Sequence, residues 1–347
     1  MLSKLFTKRL FGNFHVERNS KFATLNSDDM SVFKDIVGQV GMVTEADDLV
    51  SHNTDWTKKF IGSSGLMLKP QTNEEISACL KHCNDRNIAV VPQAGNTNKV
   101  GGAVPVHDEV IINTSRMNRI LDFDESYGIV SSEAGVILRN LCDYTIDRGY
   151  EVPLVLGSKS SCQIGGSLAN NAGGHTVIRH NSLHANTIGL KCVLADGTIL
   201  DNMTTLRKDN TGYDLKHLFI GSEGTLGIIT EMSMLCPPRP TKKSVALVCL
   251  DSFDDVLKLL HKTKLLLGDT LYAYECMDSQ TIEHVRDQSK NCVFPFNNTS
   301  PFYVLIETRS RESTLASSDD SETSSDLDKL LQLFETSEGL VKDAVVG

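Results

Sequence analysis

The sequence predicts an α+β protein made of two successive folded parts, and three observations carry that expectation. From residue 65 to 93, apolar runs of strand length flank a run of helical period, the pattern of a β-α-β unit. The middle third is dense in β-branched runs bounded by turn residues. After "CPPRP" at 236–240, a stiff proline linker, strands and helices begin to alternate again.

Each element has its own signal. "GLMLKP" (65–70) is a short strand ended by proline; in "TNEEISACLKHCNDRN", Thr72 or Asn73 caps a helix that lines up Ile76, Leu80 and Cys83. "IAVVPQ" is the second strand of the unit, and it delivers the loop "PQAGNTNKVGG" (92–102) to a strand carboxyl end, where open α/β sheets bind ligands. "EVIINT", "GIVSSEAGVI", "IGLKCVLADGTIL" with its Asp196-Gly197 turn, and "GIITEMSML" are strands, and "LRNLCDYTIDRG" is a helix. Beyond the linker the pattern predicts strand 244–250, helix 253–267, strand 271–276, helix 278–289 and strand 302–307, a ferredoxin-like layout. A low-complexity insertion is expected at 310–325, followed by an amphipathic helix in "DLDKLLQLFETSEG" and an apolar strand beginning in "VKDAVVG".

Composition narrows the function. With 347 residues and 40% hydrophobic content the chain can bury a substantial core. A formal net charge of -10 disfavours a nucleic-acid partner, because the phosphate backbone is met by a basic face. Nine scattered cysteines suit free thiols in a reducing compartment better than disulfides, and no apolar stretch is long enough for a membrane span. The first residues run against the acidic average: Lys4, Lys8, Arg9, Arg18 and Lys21 face one acid, Glu17, with Leu2, Leu5, Phe6 and Leu10 near helical spacing. That pattern is expected of a mitochondrial transit peptide, with a basic tail carrying no address as the alternative; residues 1–45 are taken as leader and lead-in outside the fold.

Three glycine-rich loops carry the chemistry: 92–102, "LGSKSSCQIGGSLANNAGG" (156–174) and "GSEGTLGIIT" (221–230). Glycine permits left-handed backbone and close approach to main-chain N–H groups, so such loops suit a diphosphate held in a nest of amides. No GxGxxG opens a helix after a strand and no GxxxxGK[ST] is present, which removes the nicotinamide and nucleoside triphosphate readings.

The segments "PQAGNTNKVGGAVPV", "SCQIGGSLANNAGG", "LRKDNTGYDLKHLFIGSEGTLGIIT" and "CPPRP" resemble the PCMH-type flavin-binding domain of the vanillyl-alcohol oxidase family, and within it the FAD-dependent D-2-hydroxy acid dehydrogenases. The resemblance runs from about residue 55 to the end. It implies an FAD-binding domain of two α+β subdomains over 46–240 and a partial substrate or cap domain over 241–347. It further implies non-covalent FAD, since the first loop has no histidine for a tether. Carried onto this chain, it places Gln93, Ala94, Gly95, Asn96 and Thr97 around the pyrophosphate, and Gly157, Ser161, Gly165, Gly166, Asn171, Gly173 and Gly174 along the flavin and ribityl chain. Glu223, Gly224, Gly227, Ile228 and Ile229 would line the adenine and ring edges; the bland alternatives are turns for the glycines, a surface acid for Glu223 and core strand positions for Ile228 and Ile229.

The implied activity is oxidation of D-2-hydroxyglutarate to 2-oxoglutarate by hydride transfer to flavin in the mitochondrial matrix, with electron-transfer flavoprotein as acceptor. A D-lactate-type dehydrogenase and a non-catalytic FAD-binding module are the alternatives. The family also implies zinc, but its ligands and the substrate-binding cations belong to a part of the cap that finds no match before residue 347, so no catalytic base is nominated. Cys79, His82 and Cys83 offer metal-type ligands at helical spacing, for which packing is the commoner role. Arg179, His180 and His184 follow the second loop and are weighed as flavin neighbours, whereas His217 is read as structural. The family pattern has glycine and leucine where Asn98 and Lys99 stand, glycine at Ala94 and aspartate at Val155; asparagine at 98 is expected to be a cheap replacement at a left-handed position. His175, Asn181 and Ala185 replace smaller or more apolar residues.

Overall fold

A computed structural model describes residues 17–289, 293–311 and 325–347. The start of the expected transit peptide, through residue 16, and residues 312–324 of the expected insertion lie outside the described residues. The chain divides into two compact units. The first runs to Val152 and adds Gly157–Ala172 and Leu183–Pro237; the second joins Pro153–Leu156 and Gly173–Ser182 to Pro238–Gly347. The last change of unit along the chain falls between Pro237 and Pro238, and two short segments from the middle third fold with the carboxyl-terminal unit.

The first unit has two sheets. One contains β1 (Met42–Val43), β2 (Met67–Leu68), β3 (Val90–Gln93) and β4 (Val110–Asn113) in the order β1-β2-β4-β3. β2 and β3 both run parallel to β4, which lies between them, so the predicted β-α-β unit exists but skips one strand. β4 is apolar on both faces and wholly buried, as a central parallel strand must be. Helices α1 (Ser27–Val37) and α3 (Asn73–Arg86) cover one face, packing Phe33, Val37, Ile76, Cys79, Leu80 and Cys83 on Leu66, Leu68, Val110 and Ile112. On the other face, Leu49 of α2 (Ala46–Asn53) meets Met67 and Ile111. Strand alternation at Met67 and Leu68 thus feeds two cores.

The second sheet is antiparallel: β5 (Ile120–Asp124), β6 (Ile129–Glu133), β7 (Thr187–Val193), β8 (Ile199–Asn202) and β9 (Ile228–Leu235), ordered β5-β6-β9-β7-β8. Gly197 at φ 88° makes the predicted β7–β8 turn. Helices α4 (Leu138–Ile146) and α5 (Ile164–Ala169) lie between β6 and β7 in the chain. The sequence reading missed β5, although Leu121, Asp122, Phe123 and Asp124 alternate apolar and charged residues along it.

The second unit forms an antiparallel sheet of β10 (Lys242–Leu250), β11 (Leu271–Asp278), β12 (Phe302–Ser310) and β13 (Asp343–Val346), ordered β11-β12-β10-β13. Helices α6 (Phe253–Leu267) and α8 (Asp326–Glu335) share its core through Val256, Leu259, Leu330 and Leu333, while α7 (Ser279–Gln288) joins β11 to β12. This is the ferredoxin-like order with one extra helix between its second and third strands. The turn Val177–His180 belongs here: Ile178 packs on the same core, Arg179 pairs with Asp269 at 3.0 Å, and His180 meets Tyr272 edge-on.

The amino-terminal boundary needs correction. Residues 27–45 were read as lead-in, yet α1 is part of the first core and is anchored by a capping box: Asn26 Oδ1 accepts from the Asp28 and Asp29 amides, and Asp29 accepts from the Asn26 amide. Asp29 is 1% exposed, and its carboxylate receives Arg86 Nε at 3.0 Å and His82 Nε2 at 2.9 Å from α3. His82 is thereby committed to Asp29 instead of a metal, and the Cys79 and Cys83 thiols face the core, where burial pushes each up to about 12. All the cysteines among the described residues are free.

Hydrogen bonding from Arg86, opposed by burial and joined by His82 and the Asn26 amide, holds Asp29 below the usual carboxylate range. Asp29→Asn is expected to lower the unfolding free energy by about 2 kcal/mol at neutral pH. Because the folded pKa lies below the unfolded value of about 4, the carboxylate's contribution is complete above that value and vanishes as pH falls through the folded one. Urea titrations of both proteins at neutral and strongly acidic pH check this; the difference should close in acid.

Candidate cofactor site

The first loop leaves β3 with its shape held by side chains. Gln93 is buried, and its Nε2 donates to the carbonyls of His52 (2.9 Å) and Ala103 (2.8 Å), tying the loop's start to its end. Asn113, ending β4, donates to the Ala94 carbonyl at 3.0 Å. Asn96 sits at φ 48° and donates to the carbonyls of Ser51 and Thr54, pinning the loop to the end of α2. With the loop held from outside, the main-chain N–H groups of Gly95, Asn96, Thr97, Asn98 and Lys99 find no acceptor among the described residues. Successive unpaired amides in a half-buried loop form an anion-binding concavity.

The other loops close on this one. A Cβ on Gly95 would stand 2.2 Å from the Ser161 carbonyl oxygen, and one on Gly166 would stand 2.7 Å from Ala94 Cβ, so loops one and two touch where neither glycine can be replaced freely. Asn98 donates to Asn170 at 3.2 Å. From the third loop, the Glu223 amide donates to the Ala169 carbonyl and Gly221 to Leu168, while Gly224 packs on Pro92 and the Glu223 carboxylate lies beside Gly102. Glu223 and Asn171 are both left-handed, at φ 54° and 48°. The structure thus brings the loops carrying Gln93 to Thr97, Ser161, Gly166, Asn171, Glu223 and Gly224 next to one another.

Other expected site residues stand elsewhere. Gly165 is pressed against Ala134, and Gly227 against the Val193 carbonyl of β7. The side chains of Ile228 and Ile229 are buried in β9, Ile228 in the core of the parallel sheet. These positions have packing reasons for their residue types; Ile228 and Ile229 also pair with Val193 and Cys192 of β7, and the Gly165 amide donates to the Ala134 carbonyl. Gly157 faces open space, and Gly173 and Gly174 fold with the second unit, Gly174 against the Val155 carbonyl. Asn98 is not left-handed; Asn96 is, so the expected backbone argument for residue 98 moves two positions and Asn98 is instead a cross-loop hydrogen-bond donor. His184 stacks on His217 with ring centroids 3.6 Å apart, and His217 Nε2 lies 3.2 Å from Asp214. Burial, joined by His184 and Lys216 and opposed by Asp214, holds the His217 imidazole below its usual value.

Beside the loops, a cleft of about 890 Å³ opens at the carboxyl ends of β2, β3 and β4, lined by Lys69, Ala94, Gly95, Asn96, Asn113 and Ser115, with His52, Trp56, Lys58 and Gln163 among its walls. Sequence reasoning missed Lys69, Asn113 and Ser115, because their strands become neighbours only through the order β2-β4-β3. Among the described residues no group of three or more His, Cys, Asp and Glu side chains could hold a metal, so the residues present do not fit the zinc implied by resemblance. They do fit a dinucleotide, through the unpaired amides and the bare glycines that let the loops meet. Gly95→Ala is expected to destabilise the fold by about 2 kcal/mol, since Ser161 is main chain and must move, whereas Gly157→Ala should leave the melting temperature unchanged; thermal denaturation of the two variants checks this.

Residues 65–202 match the family model of an FAD binding domain. The mitochondrial D-2-hydroxyglutarate dehydrogenase of Arabidopsis thaliana is 44% identical over 333 residues, covering 95% of this chain and 58% of that protein. The protein of the same name from Rattus norvegicus is 47% identical over 288 residues, 83% of this chain and 53% of that one. A solved alkyldihydroxyacetonephosphate synthase shares the fold at TM-score 0.72 and 16% identity, over 96% of this chain and 62% of its own. The chain therefore carries an FAD-binding domain and is a homologue of the proteins named D-2-hydroxyglutarate dehydrogenase, across most of its own length and a little over half of theirs.

Proposed function

We propose that this chain binds FAD without a covalent link and serves a mitochondrial dehydrogenase that oxidises D-2-hydroxyglutarate to 2-oxoglutarate. The run of unpaired amides from Gly95 to Lys99, closed over by the second and third loops, is the observation that carries this reading. Those N–H groups donate to diphosphate oxygens; each such charge-assisted bond contributes about 1.5 to 3 kcal/mol. Gln93 and Asn113 keep the loop open, so little ordering is needed on binding. Within the first unit, Ser161, Gly166, Asn171 and Glu223 border the remaining length of the ligand, with Gly157 toward the flavin. When bound, FAD supplies the acceptor for the hydride leaving C2 of the hydroxy acid. Electron-transfer flavoprotein is the proposed acceptor of the electrons, and the matrix the proposed location, in keeping with the relatives named mitochondrial.

The alternative reading is a non-catalytic flavin-binding module; the chain spans 53 to 58% of the length of those relatives. One experiment separates the two. The purified chain should carry a flavin spectrum, and denaturation should release all of the flavin into solution. Bleaching of the bound flavin by D-2-hydroxyglutarate without oxygen supports the dehydrogenase, and bleaching by D-lactate alone redirects the substrate. A yellow protein inert to both supports the module, and a chain that stays colourless in excess FAD defeats both readings.

A further inference from the structure

The cleft at the carboxyl ends of β2, β3 and β4 holds chemistry that the glycine loops do not explain. Lys69, directly after β2, is half-buried in its wall, and among the described residues no carboxylate lies within ion-pair distance of its ammonium. The cleft has two acids. Asp55 is 3% exposed and already accepts from Thr57, Lys59 and Phe60, while Asp47 lies in the first turn of α2. Asn96 spends its Nδ2 on two carbonyls, leaving Oδ1 buried with no partner. Lys58, on the rim, is held at φ 59°, a conformation a lysine adopts only under constraint. A half-buried cation without a counter-charge and a buried acceptor without a donor both cost free energy unless a ligand completes them.

We propose that Lys69 meets the negative charge of the diphosphate from the cleft side, and that Asn96 Oδ1 accepts a hydrogen bond from a hydroxyl of the same ligand. The occupant is thus a phosphorylated polyol, such as the diphosphate and ribityl stretch of a flavin dinucleotide. The inference rests on the FAD reading and extends it: the unpaired amides of Gly95 and Asn96, which line the same cleft, grip the diphosphate on one side, and a side-chain cation neutralises it on the other.

Trp56 is the chain's single tryptophan and lines this cleft, so its emission reports occupancy. ADP, which carries the diphosphate without the flavin, should change Trp56 emission in the apo chain. Lys69→Met should weaken both ADP and FAD about tenfold, Lys69→Arg should restore most of that loss, and riboflavin, which lacks phosphate, should bind Lys69→Met as it binds the parent. FAD affinity of Lys69→Met within twofold of the parent, an equal loss of riboflavin, or Trp56 emission indifferent to ADP would each overturn the proposal. A parent chain that binds FAD while failing these tests leaves the cofactor reading intact; a parent that binds no FAD defeats that reading first.

Discussion

Everything at the candidate site depends on one close approach, the contact of Gly95 with the Ser161 carbonyl. No side chain fits there, so the first loop of the parallel sheet and the second loop, from beside the antiparallel sheet, can lie against each other with their backbones bare. The same economy of bulk recurs where Gly166 meets Ala94 and Gly224 meets Pro92. Bare backbone in three separate segments lets the loops close around the unpaired main-chain donors of residues 95–99, and main-chain donors neither titrate nor change rotamer. A site built this way is well suited to a diphosphate, whose charge is fixed and whose oxygens point in several directions.

Holding such a loop open requires help from outside it, and the help comes from polar side chains with buried ends. Gln93 spans the loop's base, Asn113 reaches it from the neighbouring strand and Asn96 fastens it to α2. Each satisfies carbonyls and leaves the N–H groups of residues 95–99 unclaimed. The division of labour is physical: amide side chains take the acceptors, and the donors are left for a ligand. Asn96 also tolerates the left-handed backbone its position demands, which few other residues do.

The Asp29 clamp plays a comparable part for the parallel sheet. It joins α1 to α3 through a carboxylate that is almost wholly buried yet fully hydrogen-bonded, and so fixes the helix layer on which the strands sit. Within the second unit, Ile178, Arg179 and His180 serve a different sheet from the loop residues just before them. Residues adjacent in sequence thus have separate structural duties on either side of Gly173.

Local signals in the sequence were enough to place most helices and strands, including Thr72 as a cap, the Asp196-Gly197 turn and the ferredoxin-like order beyond the linker, because caps, turns and periodicity act between near neighbours. They were enough, too, to single out three glycine-rich loops. Which glycines serve the loops and which serve packing was decided only by tertiary structure: Gly165 and Gly227 carry the same one-residue signal as Gly95 but press on Ala134 and Val193. The interposition of β4 between β2 and β3, which gathers Lys69, Asn113 and Ser115 into one cleft, and the passage of Gly173–Ser182 to the second unit were likewise invisible in the chain. Both depend on contacts between residues far apart in sequence, and a residue's type records that it must be small, polar or charged without recording what it will stand beside.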